Sequence, residues 1–432
     1  MTPVDHSHRD LAWREMHARP YVRFSGPAHV WHFAVLSDPA DDGGRAGLDA
    51  LTHSLGLAAT YETPRHRIYA GSVARLGRLV LSWERHGEYA AYTFFLYELE
   101  IPFEPFGLDS GRFLPVDWPE ILGKPLLVAT RIAVGSKDEM PGTLEGFMDL
   151  FEGHTVNGSQ VMAGRAEAWS AYRSHTDGFG RIALVVDQMS SQDLGRTMER
   201  LLAIEDFSHL TLLSQPLVVE VKPRVSSAES RMVEHMDALR EAGSIEQKRS
   251  VLDSLLALAV EVEHLRAQVS NRFEASSAYF SLLDSRFAEL REGKIEHVLR
   301  LSRFVMRRLA PAARTSRAIL ERLSNLSERI DRAADLLRTA IELHVEEQNQ
   351  RLLESADRRA KLQLRLQEAV EGLSVVVITY YVLALLSYPL KAIGRLGIHI
   401  DVEATLALAM PIVLLAVWGV AHRIRTRFGD RA

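Results

Sequence analysis

The chain of 432 residues has no cysteine. That absence removes disulfides, thiolate metal sites and cysteine nucleophiles together, and it suits a reducing compartment. A basic excess is also missing. The formal net charge is −5, and there is no glycine-rich phosphate loop or aromatic RNA-binding signature, so nucleic acid is not an expected partner. Serine-centred nucleophile motifs and dinucleotide fingerprints are absent too, and no enzyme activity or cofactor is expected. The first ten residues, Met1 to Asp10, are polar and carry no apolar core of signal-peptide type, which predicts a bulk that starts in the cytoplasm.

Two further absences say more. From Ala312 to Glu371 there is neither proline nor glycine, so this stretch can run about 90 Å as one helix. From Gly372 to Leu390 there is no charge, and none from Ala404 to Ala421. The first of these runs spans about 28 Å as helix, close to a hydrocarbon core of roughly 30 Å, and the two together predict a membrane hairpin. Basic residues flank it unevenly. Arg351, Arg358, Arg359, Lys361 and Arg365 precede the first run and Arg423, Arg425, Arg427 and Arg431 follow the second, whereas the connecting loop has only Lys391 and Arg395. That bias predicts an inner-membrane protein with both termini cytoplasmic. Pro411, inside the second run, predicts a kink rather than a failed span.

What remains divides into a helical and a mixed part. Ile319, Leu323, Leu326, Ile330, Ala333, Leu337 and Ala340 alternate by four and three, the spacing of a coiled-coil seam. The seam either packs on the preceding helices, with Pro311 marking the turn between them, or joins a second copy. Toward the amino end, "RIYAGSVARLG", "RLVLSWERHGEYAAYTFFLYE" and "RIALVVD" are rich in β-branched and aromatic residues, with His86-Gly87 placed as a hairpin turn. Antiparallel sheet is expected there. "SSQDLGRTMERLLAIEDFSHL" opens with capping residues and has helical periodicity, which predicts a helix. Pro216 and Pro223 fall near the edge of this part.

The expected architecture is therefore an α+β cytoplasmic domain over residues 1–225 and a long α-helical stalk or bundle over 226–371. A first transmembrane helix at 372–390, a short periplasmic loop at 391–403, a second helix at 404–421 and a basic tail at 422–432 complete it.

"REMHARPYVRFSGPAHVWHFAVLSD", "GRTMERLLAIEDFSHLTLLSQP" and "QNQRLLESADRRAKLQLRLQEAVEGLSVVVITYY" resemble the hallmarks of a proteobacterial domain-of-unknown-function family of predicted membrane-anchored proteins. The resemblance covers nearly the whole chain and implies topology more than activity. Its motif residues, Glu15, His17, Arg19 and Pro20 near the start and Glu371 and Gly372 before the first span, have no assigned role. The layout is also similar to that of CorA-type divalent cation transporters, which assemble around their first span. The chain departs from that pattern at the filter, with Ser387-Tyr388-Pro389-Leu390 where those proteins carry Gly-Met-Asn.

Along the first span, Ser374, Tyr381 and Tyr388 are spaced by seven and share a helical face. With Thr379 they are the candidate pore lining of an ion-conducting homo-oligomer held together by stalk and first span. Asp401 and Glu403 are candidate acids at its outer mouth, gathering an inorganic cation. The alternative is a membrane-anchored binding or scaffold module without transport. Glu15, His17 and Arg19 lie close enough to invite a catalytic reading, but a His/Arg pair before proline is more often a structural corner, with Arg19 paired to an acid and Pro20 ending the helix. The histidines His6, His8, His17, His29 and His32 do not have the spacing of a helical zinc pair, and no metal site is expected.

Overall fold

The computed structural model describes residues 9, 13, 20–37, 44–394 and 401–429. The chain divides into two units, Met1–Glu241 with Asp253–Ala333, and Ala242–Leu252 with Ala334–Ala432.

The first unit is built on a mixed ten-stranded sheet. Its strands are β1 (Ala28–Leu36), β2 (Ala58–Glu62), β3 (His66–Val73), β4 (Gly77–Arg85), β5 (Tyr89–Tyr97), β6 (Leu126–Ser136), β7 (Asn157–Val161), β8 (Ala166–Ser170), β9 (Gly180–Val186) and β10 (Gly293–Lys294). They lie in the order β10-β7-β8-β9-β6-β1-β5-β4-β3-β2. The expected hairpin forms: β4 and β5 are joined at His86 to Glu88, where the His86 amide donates to the Tyr89 carbonyl at 2.8 Å. The segments expected as antiparallel sheet pair so, β3 with β4, β4 with β5 and β9 with β8, and one parallel pair joins them. β6 and β9 run parallel, because the intervening segment, with a helix and two strands of its own, is long enough for a crossover.

Both faces of the central strands are covered. One face packs Val30, Ala34, Val80, Phe95 and Ile132 against Leu194, Met198 and Leu201. The other packs Trp31, Phe33, Trp83, Tyr92 and Phe94 against Leu48, Leu51 and Leu122. These partners come from helices α1 (Arg45–Ser54), α2 (Trp118–Leu122) and α4 (Ser191–Leu212), and α3 (Leu144–Leu150) covers the sheet's other end. Strands buried on two sides lose the apolar-polar alternation of a half-exposed sheet, as "AHVWHFAVL" does in β1.

The remaining helices are α5 (Gln215–Glu241), α6 (Ile245–Leu290), α7 (Leu301–Gly394) and α8 (Val402–Gly429). The predicted seam is buried inside the chain from Ile319 to Leu337. Arg322 donates to Glu229 of α5 and Ser327 to Glu263 of α6, so up to Ala333 the seam faces the protein's own helices. Pro311 is not the turn. α7 continues through it, and the chain reverses between α6 and α7, where β10 joins the sheet. Pro223 likewise lies inside α5.

The second unit contains two helices long and apolar enough to cross a membrane, the carboxyl part of α7 and α8. Many of their large apolar side chains are exposed, and Leu373, Leu385, Leu408, Ile412 and Leu415 about two-thirds or more.

Candidate functional site

A row of polar side chains crosses the middle of the sheet face that α4 covers. Register sets Thr130 of β6 opposite His32 of β1, His32 opposite Thr93 of β5, and Thr93 opposite Ser82 of β4. Four strands thus place one polar residue each at the same level of an otherwise apolar face. α4 meets this row with two successive carboxylates. Asp206 Oδ1 accepts from His32 Nε2 at 2.9 Å, and His32 Nδ1 lies 2.8 Å from Thr93 Oγ1. Thr130 Oγ1 donates to Glu205 Oε2 at 3.3 Å. Farther along, His66 Nε2 and Ser82 Oγ are 3.0 Å apart. Burial alone would depress the His32 pKa. The Asp206 carboxylate and its hydrogen bond outweigh that and hold it above the ordinary histidine value. Burial raises the Glu205 carboxyl toward its neutral form against the pull of His209 and Thr130. Every member of this row is partnered, and it reads as a polar brace between α4 and the sheet.

The outward side of α4 is different. Ser208 and His209 border a cavity of about 900 Å³ that is also lined by His154, Asn157, Tyr172, Arg173, Phe304 and Arg308. No aspartate or glutamate lines it. His209 Nδ1 donates to the Glu205 carbonyl at 2.9 Å, which fixes the ring and leaves Nε2 as its second polar atom. The Ser208 hydroxyl is buried without a hydrogen-bond partner among the described residues. Tyr172 and Phe304 stack with ring centres 5.0 Å apart, and the Arg308 guanidinium lies 3.7 Å from the Phe304 ring centre. This stack holds Arg308 flat while its N–H edges stay available. Neither Arg173 nor Arg308 makes a hydrogen bond or ion pair with a described residue.

Such a wall, cationic and hydrogen-bond-donating over an apolar base of Leu212, Val305 and Leu309, is suited to an anion. It offers no paired acid and base for a reaction. Among the described residues no group of histidine, aspartate and glutamate could hold a metal ion. His29 and His32 are three apart on β1 and so face opposite sides of the sheet; His29 lies against Phe103, 5.0 Å between ring centres.

The residues singled out in the sequence fall elsewhere. Glu15, His17 and Arg19 lie outside the described residues, and Pro20 is half-buried. Glu371 is half-buried and Gly372 exposed on α7. Ser374 donates to the Val370 carbonyl at 2.9 Å and Thr379 to the Val375 carbonyl at 2.7 Å. Thr379 is buried, whereas Ser374, Tyr381 and Tyr388 are exposed, so Thr379 does not share their face. Asp401 caps α8, accepting from the amides of Glu403 and Ala404, and Glu403 is exposed. The cavity residues were not anticipated, since they come from the β7 and β8 ends, α4 and α7. The one local signal was "RFVMRRLAP", a run of arginines with no acid at helical spacing.

Fold and cavity together define an α+β protein with a cation-lined pocket and a carboxyl-terminal pair of apolar helices. Residues 4–428 match the family model described as a protein of unknown function, DUF3422, and the chain belongs to that family. No curated protein matches the chain. The stretch "GRTMERLLAIEDFSHL" forms most of α4. It supplies Glu205 and Asp206 to the brace and Ser208 and His209 to the cavity, and its Gly195 leaves room for the Val22 carbonyl, which a Cβ would strike.

Proposed function

We propose that this protein is a membrane-anchored receptor whose α+β unit binds a small anion. The apolar pair in α7 and α8 forms a hairpin in the bacterial inner membrane, with both termini in the cytoplasm. One observation carries the receptor reading: the guanidinium groups of Arg173 and Arg308 and the rings of His154 and His209 line a single cavity to which no aspartate or glutamate contributes. An oxyanion that accepts N–H donors from two guanidinium groups gains charge-assisted hydrogen bonds, which are about twice as strong as neutral ones. The hairpin is supported by the length and exposure of its apolar residues, which an aqueous surface would not tolerate in a patch of this size. Its orientation follows from the arginines and lysine that flank it on one side.

Calorimetric titration of the full chain in detergent with methylphosphonate tests the receptor reading. Saturable binding, weakened about tenfold or more in Arg308→Gln, is the expected result, equivalent to roughly 1.4 kcal/mol. No heat at millimolar methylphosphonate would remove the reading.

A second reading, ion conduction by a homo-oligomer of CorA-like layout, draws on the exposed face of Ser374, Tyr381 and Tyr388. The seam up to Ala333 is occupied within the chain, so self-association would use later turns of α7 and the first span, where Leu352, Leu353, Leu362 and Leu366 are exposed. Light scattering of the purified particle followed by cation flux in liposomes separates the two. A closed oligomer whose flux is lost in Tyr381→Leu favours conduction, and a monomer without flux leaves the hairpin as an anchor.

A further inference from the structure

The anion cavity has a neighbour. A second pocket of about 710 Å³ is lined by His297, Arg307 and Arg308, with Leu144, Met148 and Val298 among its apolar residues. Thr155, Asn157, Phe304 and Arg308 line both pockets, so the two share a wall. Again no aspartate or glutamate contributes to the lining. Arg307, like Arg308, makes no hydrogen bond or ion pair with a described residue. The two arginines are consecutive on α7 and point about 100° apart around the helix, one toward the second pocket only and one bordering both.

Two acids outside the lining are hydrogen-bonded elsewhere. Glu292 is engaged at the start of α7, where it accepts from the Ser302 amide at 3.2 Å, and the Leu301 amide donates to Ser159 Oγ at 3.0 Å. The first amides of α7 are therefore satisfied, and an anion here has to be held by side chains. Glu205 borders a smaller adjoining pocket with Thr130, Tyr172, Arg173 and His209; it is drawn into the hydrogen bond from Thr130 and held toward its neutral form.

We infer that the ligand of this site is an elongated small molecule with an anionic group at each end. One group is received by Arg173 and His209, the other by Arg307 and His297, and Arg308 serves both. Between them the wall is Phe304, with Val305 and Leu309 on one side and Val298 and Leu299 on the other, which fits an apolar or aromatic middle. A single compact anion would engage only one of the two sets of arginine donors.

This inference rests on the receptor reading and is tested so that the two can fail separately. The full chain in detergent is titrated calorimetrically with methylphosphonate and with the α,ω-bisphosphonates of propane, pentane and octane. The expected result is that one bisphosphonate binds at least about tenfold more tightly than methylphosphonate, roughly 1.4 kcal/mol, with a length optimum. Arg307→Gln should abolish that gain, so that no bisphosphonate binds more tightly than methylphosphonate, while Arg173→Gln weakens both. Methylphosphonate binding with no gain for any bisphosphonate, or a gain untouched by Arg307→Gln, would overturn the two-ended ligand and leave the receptor standing. Failure of every probe would remove both. Because Arg307 is exposed, an unchanged melting temperature in Arg307→Gln shows that a lost gain is not lost folding.

Discussion

Within five residues α4 presents two polar surfaces in opposite states. Glu205 and Asp206 face the sheet and are met there by Thr130 and His32. Ser208 and His209 border the cavity, where the Ser208 hydroxyl has no partner among the described residues and no carboxylate lines the wall beside Arg173 and Arg308. Inward, the sequence supplies a complement for each charge; outward, it does not. A satisfied buried network is the signature of a structural brace, whereas guanidinium donors left open to solvent over an apolar base suit a place where something else binds.

The largest effect should come from breaking the inner surface. Asp206→Ala leaves His32 buried beside Thr93 without its carboxylate, and the loss is expected to be about 3 kcal/mol or more in chemical unfolding of the full chain in detergent. A loss below about 1 kcal/mol would mean that the row is not a brace and that the contrast along α4 is misread.

On the opposite sheet face, pH should expose a second buried histidine. Burial, aided by the Arg131 guanidinium, lowers the His29 pKa from 6.5 to about 4. The unfolded chain therefore binds the extra proton between those values, and this term adds stability as pH rises from 4 to 6.5 and removes it as pH falls, by up to roughly 3 kcal/mol. His32 and Glu205 have raised pKa values, so the native state holds more protons and their contributions fade as pH rises. The difference between the wild type and His29→Phe isolates the first term: the variant should lose less stability on going from pH 6.5 to 4. Parallel curves would show that His29 does not carry it.

At the outer surface stability and binding should part. Arg308→Gln removes an unpaired cation and is expected to change stability by less than about 0.5 kcal/mol, while phosphonate affinity falls about tenfold. A large fall in melting temperature would place Arg308 with the brace instead.

How much of this was legible depended on whether the signal was local. The β4–β5 hairpin has aromatic and β-branched runs around His86-Gly87, α4 has Ser190 accepting from the Asp193 amide, and the apolar helices have long uncharged runs. Each can be read within a short window. β1 and β6 could not be read that way, because burial on both faces erases alternation, and the parallel β6–β9 pairing depends on a crossover that no short window reveals. Pro311 misled for the opposite reason: a local helix breaker was overridden by the packing of Val305, Leu309 and Ala313, buried on either side of it. The cavity was least legible. Tyr172, Arg173, Ser208, His209, Phe304 and Arg308 meet only through the fold, and the missing acid that defines the site is not a motif.

The smallest effect is expected in the hairpin, and it tests the same distinction between met and unmet groups. Ser374 and Thr379 both donate to carbonyls four residues earlier in their own helix, so neither hydroxyl requires a neighbour to be satisfied in lipid. Ser374→Ala and Thr379→Val should each change stability by less than about 0.5 kcal/mol and leave particle mass unaltered, since no contact beyond the helix is lost. Fluorescence-detected melting and light scattering in detergent measure both. A shift well above that size at exposed Ser374, accompanied by a smaller particle, would mean that its hydroxyl bonds to a second chain, and would turn the first span from an anchor into an assembly surface. No shift at Ser374 with a modest one at buried Thr379 would fit a hairpin held by packing.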